Sequence, residues 1–428
     1  MAPSLQLSDD PEEEGPWLRW ARRFYALHLL TLFGIAISNA FLALALIASW
    51  PMFRPAAWSR SAGRLRLQPM FAPLAAYYLW LAAAVVASPL PRESAGSLGE
   101  IFLLSTLLFG PLLLPREGQA RRLADLVIAS GAVLAFWALG QYLQGYGGID
   151  QRIRGPFSHW MTLAGVLLIC DLLLIAQLSL EAKSRRTVWR WIALAAINVA
   201  LLGSLTRNAW LALGFTLAGY VGVRRPRWLL ALPLVAALFF LIAPQPITSR
   251  ALSITNFSDP SNYDRLCMAD AGLHMISEHP LFGIGPDLVQ SRYTPYREPT
   301  APRYWVPHLH DTFLEIAAER GLPALAAYLW LTAVAIRAAY RRYRDEGGDA
   351  GPNAALHVGA ILALVGFNVA GLFEYNWGDS EVQRLALFVL ALPFCGPSRV
   401  APGEESRREA PPAVPSEPAG SIRPDRAT

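Results

Sequence analysis

Long apolar blocks, each of roughly 15 to 25 residues, recur along this chain, and short arginine-rich connectors separate them. A block of that length crosses the hydrocarbon core of a bilayer as a helix. A chain built of many such blocks has no polar face with which to fold in water. The blocks lie near 70–88, 99–114, 124–145, 160–180, 190–206, 208–223, 228–243, 320–338, 354–374 and 380–396, preceded by one long block from about 24 to 52. Hydrophobic residues make up 54% of the chain and charged residues only 16%, so a water-soluble fold is excluded. The expectation is an all-α polytopic membrane protein.

The connectors set the orientation. Arg224, Arg225 and Arg227 form one cluster, Lys183, Arg185 and Arg186 another, and Arg337, Arg341, Arg342 and Arg344 a third; all three are expected on the cytoplasmic side. That places a polar stretch at residues 244–311 outside. Arg19, Arg22 and Arg23 before the first block and the Arg54–Arg66 connector after it both read as cytoplasmic, so residues 24–52 must cross twice. A break at Ser38–Asn39 would allow it, giving about 12 transmembrane helices and one large outer loop containing short helices.

The acidic start, MAPSLQLSDDPEEEG, lacks the features of a cleavable leader. Residues 1–18 are expected to be a disordered cytoplasmic N-terminus, 19–396 the membrane domain, and the Pro-, Glu-, Arg- and Ser-rich 397–428 a disordered cytoplasmic tail. The net charge of +5 comes from residues flanking spans, which speaks against nucleic acid as a partner. Cys170, Cys267 and Cys395 offer no disulfide framework.

Some charges do not serve sorting. On this topology Arg207, in GSLTRNAWLALG, falls at the outer junction of two spans, where it either faces an anionic group or snorkels into a structural ion pair. Arg152 and Arg154, in QRIRGPFSHWMTLAG, add positive potential on the same side, or are simply solvated. His159, His274, His279, His308 and His310 put most of the seven histidines there too. A helix is expected after Pro260, capped by the Ser261–Asp264 run, with Arg265 in its first turn and Leu266, Ala269, Leu273 and Ile276 on one face. It should stop before His279–Pro280, with FGIGP as a tight turn.

The segment WVPHLHDTFLEIAAERGLPALAAYL is the most informative. Pro307 favours an extended His308–Leu309–His310, which projects both rings to one side. Thr312 and Glu315 read as a capping box, and Gly321 with Pro323 ends the helix. His310 then sits just ahead of a helix N-terminus, where the dipole disfavours imidazolium and keeps the ring a base. Asp311 opposes that effect or orients the imidazole. Two histidines alone lack a third ligand at any motif spacing, so no metal is expected.

In order and placement these residues resemble the O-antigen ligase family, within a superfamily that also includes O-antigen polymerases and protein O-oligosaccharyltransferases. The ligase motif is His, then Asn, Ser or Gln, nine residues, Gly, two residues, Gly. Here it reads His310, Asp311, TFLEIAAER, Gly321, Leu322, Pro323, Ala324, departing at Asp311 and Ala324. LTRNAW around Arg207, RLCMADAGLHMISEHPLFGIGP around Arg265, RIRGPFSHWMTLAG around Arg154 and GLFEYNWGDSEV near Glu374 add to the likeness.

The resemblance implies a glycosyltransferase, GT-C-like in the broad sense, in the bacterial inner membrane. It would transfer a glycan from undecaprenyl diphosphate to the lipid A core oligosaccharide at the periplasmic face, without a cofactor and with inversion. Its partners would be that donor, that acceptor and the membrane lipids. In this reading His310 is the general base, Arg207 and Arg265 hold the diphosphate, and His308, Arg152, Arg154 and Asp311 help to bind substrate. The rivals are O-antigen polymerase and protein O-oligosaccharyltransferase, and more distantly a transporter, whose internal repeats this sequence does not display.

Overall fold

The computed structural model of the chain describes residues 15–396 apart from 56, 58–60, 62–67, 182–186 and 257. Lys183, Arg185, Arg186, Arg60, Arg64, Arg66, residues 1–14 and the tail after 396 lie outside the described residues, and with them the expectations placed there. The described residues are helical, with no strand among them.

Five helices are long and apolar enough to cross a membrane: Pro91–Leu113, Glu117–Leu143, Trp160–Leu180, Leu322–Asp345 and Ala354–Gly371. Shorter apolar helices at Ile35–Ala48, Phe71–Ala87, Thr187–Gly203 and Pro226–Ile242 accompany them. Large apolar side chains face outward, Val86, Leu143, Val223 and Leu241 each at least 80% exposed. Helices whose outer surface is this apolar need lipid around them, so the chain is a helical membrane protein.

The centre is a pair of helices, α1 (Trp160–Leu180) and α2 (Ala354–Gly371), buried on nearly all sides. Ala360, Ala363, Gly366 and Ala370 line α2, and such small side chains let two helices approach closely without polar glue. Around the pair stand α3 (Glu117–Leu143), α4 (Thr187–Gly203), α5 (Arg207–Arg224) and α6 (Leu322–Asp345). At the end where α1 finishes and α3 begins, ion pairs Arg121–Glu181 (2.8 Å) and Arg342–Glu117 (3.0 Å) tie the bundle.

The long N-terminal block does break into two helices, Pro16–Leu30 and Ile35–Ala48, but at Thr31–Gly34 and not at Ser38–Asn39. Ser38 is instead fully buried inside the second helix, where its hydroxyl donates to the His28 carbonyl at 2.8 Å. His28 also reaches Thr106, at 3.0 Å. A buried polar group must be satisfied, and this serine is satisfied by the neighbouring helix.

Residues 244–311 carry the short helices expected of them: Gln245–Leu252, α7 (Pro260–Glu278) and Val289–Tyr296. Helix α7 stops at Glu278, as the His279–Pro280 pair demands. Its N-cap is Asp259, which accepts from the Ser261 amide at 3.1 Å, so the cap lies ahead of the Ser261–Asp264 run and Arg265 falls in the second turn. Its buried stripe is Asp264, Cys267, Met268, Ala271, Gly272 and Met275, while Leu266 and Leu273 are more than half exposed. The apolar spacing had selected the wrong face, because a small glycine and a paired aspartate complete the true one.

The turn after α7 lies on the bundle. Ile284 and Gly285 donate to the Ala318 and Glu319 carbonyls at 2.8 and 3.1 Å, and Leu322 donates to Pro280 at 2.8 Å. The Trp80 indole donates to the Leu281 and Arg320 carbonyls, and its ring stacks on Phe282 at 5.1 Å. The segment is thus clamped to membrane helices at both ends.

Candidate active site

A cavity of about 1040 Å³ opens where α1 begins, between that helix end and the 244–311 segment. His308, His310 and Glu374 share its wall with Arg152, His159, Arg250 and Arg303.

The histidine segment is pinned from three directions. The Leu309 side chain is buried, and its amide donates to the Glu315 carboxylate at 2.6 Å. The His310 Nδ1 lies 2.9 and 3.0 Å from the two oxygens of Glu374. Glu374 is itself fixed, because the Thr312 hydroxyl donates to its carbonyl at 2.9 Å. The two rings do project to one side, with centroids 4.2 Å apart, but not from an extended strand: His310 has φ +54°. A left-handed backbone at a non-glycine residue costs of order 1 kcal/mol or more, and the three pins are what hold it.

These contacts settle the proton positions. The His310 amide donates to His308 Nδ1 at 3.2 Å, so that nitrogen is an acceptor and a neutral His308 carries its proton on Nε2, which lies 3.6 Å from Glu374. Burial pushes His308 down to about 4, against the pull of Glu374 in the other direction. Burial alone would raise Glu374, but the hydrogen bond and charge of His310, with His308 and Arg265, overturn this and hold the carboxylate at about 2. An ionised Glu374 can only accept, so His310 must donate from Nδ1. In the neutral ring the lone pair would then fall on Nε2.

Asp311 does neither task expected of it. Its carboxylate is the N-cap of helix Thr312–Arg320, accepting from the Phe313 and Leu314 amides at 2.8 and 2.9 Å. The cap sits one residue before the T-x-x-E reading, and Glu315 reaches past it to Leu309. Asp311 is therefore a helix cap that does not line the cavity, and it is not the imidazole's partner. That partner is Glu374.

The arginines converge. Arg265 lies 3.7 Å from Glu374. Burial lowers Arg265, and Arg207 and Arg303 lower it further; Arg152 is lowered by burial and then by Arg207 and Arg265. Arg250, which no local pattern had singled out, is lowered by burial and by Arg152 and Arg265. Five guanidiniums are therefore linked by mutual repulsion at this end of the bundle. Arg207 begins α5 and is 5% exposed. It donates to the Ser253 carbonyl and hydroxyl at 3.0 and 2.9 Å and to Ser261 at 3.2 Å, with Asp259 at 3.5 Å. It stands behind the cavity wall and anchors the segment that bears Arg250 and Arg265. Arg154 points away: it is exposed, bonds the Ser158 carbonyl at 3.1 Å and does not line the cavity.

His308, His310 and Glu374 offer donor atoms within 4.8 Å of one another, the third ligand that sequence spacing had not supplied. A divalent cation there would compete with the direct His310–Glu374 hydrogen bond and would meet the Arg265 charge on the same carboxylate. The donor set fits proton transfer better than metal binding. A comparison with curated proteins found no match. Residues 191–329, which include Arg207, Arg250, Arg265, His308 and His310, match the family described as O-Antigen ligase.

Proposed function

We propose that this chain, which belongs to the O-antigen ligase family, transfers a glycan from undecaprenyl diphosphate to a hydroxyl of the lipid A core oligosaccharide, with His310 as general base. The observation that carries the reading is the His310–Glu374 pair, whose geometry turns Nδ1 of a cavity-lining histidine to a carboxylate and so reserves Nε2 of the neutral ring for a substrate proton.

In the proposed step, Nε2 takes the proton of the acceptor hydroxyl as its oxygen attacks the anomeric carbon of the donor. The bond from that carbon to the diphosphate oxygen breaks, and the electron pair leaves on the phosphate. One displacement inverts the anomeric centre. Glu374 stabilises the imidazolium as it forms, as a carboxylate does behind a histidine in acyl transfer. Arg152 and Arg250 on the wall, with Arg265 and Arg207 behind them, offset the charge growing on the leaving diphosphate, a role that metal ions fill elsewhere. Ile35, Ile149, Trp160 and Met161 line the cavity beside Arg152, whose guanidinium lies 4.7 Å from the Trp160 ring centre. Apolar wall next to fixed positive charge suits a prenyl chain ending in a diphosphate.

The same reading puts the cavity on the periplasmic side of the inner membrane, in a bundle of about 12 crossings. Helix α5 runs from Arg207 to Arg224, about 26 Å at 1.5 Å per residue. Helix α6 starts just past the histidine segment and ends among Arg341, Arg342 and Arg344. Sorting of such clusters to the cytoplasm leaves the cavity outside. O-antigen polymerase or protein O-oligosaccharyltransferase would use the same donor and charges, so the acceptor decides. The test is purified protein in nanodiscs with a lipid-diphosphate-linked glycan and lipid A core, product followed by gel shift. Transfer that disappears in His310→Ala supports the reading. Full activity in that variant overturns the base assignment, and transfer to protein alone moves the chain to the sister activity.

A further inference from the structure

Two aromatic rings stand out of the polar segment leading to the histidines: Tyr304 is 70% exposed and Trp305 55%. Neither is loose. The Tyr304 carbonyl accepts from Thr294 at 3.1 Å, and Val306, next in the chain, is fully buried. Tyr263 reaches Thr300 at 2.8 Å, and Arg303 pairs with buried Asp264 at 3.0 Å. Beneath Tyr304 the Arg297 guanidinium lies 3.9 Å from the ring centre, held by the Pro299 and Ala301 carbonyls at 3.2 and 2.9 Å. One face of the tyrosine is therefore covered and positioned by a fixed cation, while the ring as a whole stays largely open.

The place of these rings in the chain indicates their occupant. Arg303 before them and Pro307 after them both line the cavity, and His308 follows at once. From Tyr304 to His308 the bent chain spans at most roughly 13 Å, within the reach of a short oligosaccharide. The acceptor must reach His310 with its hydroxyl, so its remaining sugars extend away from that point, past Pro307. Exposed aromatic surface next in the chain to Arg303, a hydrogen-bonding residue of the cavity wall, fits a ring with an apolar face and a polar edge.

We propose that Tyr304 and Trp305 form a stacking platform for pyranose rings of the acceptor oligosaccharide, outside the reacting centre. The proposal rests on the glycosyl-transfer reading above. It assigns the two residues to acceptor binding and not to the donor, whose charged group belongs with the arginines.

The test measures binding apart from turnover. Delipidated core oligosaccharide is titrated against His310→Ala protein in nanodiscs, with and without Tyr304→Ala and Trp305→Ala together; Tyr304→Phe, which keeps the ring, is the fold control. The double variant should bind the oligosaccharide about tenfold more weakly or worse, and Tyr304→Phe should bind as before. In the active protein the double variant should raise the acceptor KM by a similar factor while the donor KM stays put. Unchanged oligosaccharide binding overturns the proposal. So does a loss seen only with the lipid-linked acceptor, which would make the rings a membrane anchor. If the wild type transfers nothing to lipid A core, the ligase reading fails, whereas oligosaccharide binding still reports on the platform.

Discussion

The Nδ1 of His310 and the carboxylate of Glu374, 64 residues apart in the chain, lie within 3.0 Å of each other. The pair orients the His310 ring and, in the proposed transfer, would supply a counter-charge for the proton it takes. His310→Ala is expected to lower the transfer rate by about 10² to 10⁴, the ordinary span of general-base catalysis, with little change in donor KM. Glu374→Gln can still accept the Nδ1 proton but carries no charge, so kcat should fall by roughly 10²-fold or more while substrate KM values hold. Steady-state kinetics on the two variants decide the matter. A Glu374→Gln enzyme with unaltered kcat would remove the carboxylate from the mechanism.

The arginines separate by what they touch. Arg152 and Arg250 line the cavity, so alanine at either should cost one or two charge-assisted contacts to the diphosphate, about 1.5 to 3 kcal/mol each, seen as kcat/KM for the donor. Arg207→Ala should also lower the unfolding temperature, since it releases Ser253, Ser261 and Asp259 together. EDTA is expected to leave transfer intact. Strong inhibition reversed by a divalent cation would instead make His308, His310 and Glu374 a metal site.

The helices were legible in the sequence because a bilayer enforces long apolar runs, and the blocks at 70–88 and 160–180 correspond closely to helices Phe71–Ala87 and Trp160–Leu180. His310, Arg152, Arg207 and Arg265 drew notice because polar groups beside such runs require a reason, whereas Arg250 and Arg303, inside a polar segment, did not. Glu374 was in view only as part of GLFEYNWGDSEV, since no local spacing joins it to a histidine in a distant segment. The extended reading of His308–His310 failed for a related cause. The Leu309 amide is taken by Glu315 and His310 is turned by Glu374, so tertiary contacts impose a φ that the local residues would not choose. Asp311 read as a partner of the imidazole by adjacency, yet a helix N-terminus claims a nearby carboxylate before an imidazole can.

Acid should unfold the site in two stages. His308 is held at about 4 against an ordinary 6.5, so between those values the unfolded chain binds more protons and stability falls as pH drops. Glu374 is held at about 2 against 4.5, and its contribution is complete above about 4.5 and lost toward about 2. The two effects share a sign. Between about pH 6.5 and 4 the unfolding temperature of His308→Gln, measured by scanning fluorimetry, should therefore fall less than that of the wild type. Parallel curves for the two proteins over that range would show that His308 is not buried as a neutral ring.

The contact between the turn after α7 and the junction before α6 depends on two glycines. Gly321 has φ +83°, and a Cβ there would lie 1.8 Å from the Leu281 carbonyl oxygen; Gly283 has φ +68°, and its Cβ would meet the Glu319 carbonyl carbon at 2.2 Å. Neither clash is with a side chain that can swing away. Gly321→Ala must therefore part the turn from the Thr312–Arg320 helix, whose other end carries the His310 segment and the Glu315 carboxylate that holds it. The expected cost is about 3 kcal/mol or more, read as a lower unfolding temperature, with kcat falling as Leu309 loses its anchor. Gly285, whose φ is +112° and whose Cβ would meet first the Ser88 hydroxyl and a Leu288 methyl, should accept alanine at lower cost. If Gly321→Ala retains both stability and rate, the clamp does not position the base, and the three pins on the histidine segment suffice without it.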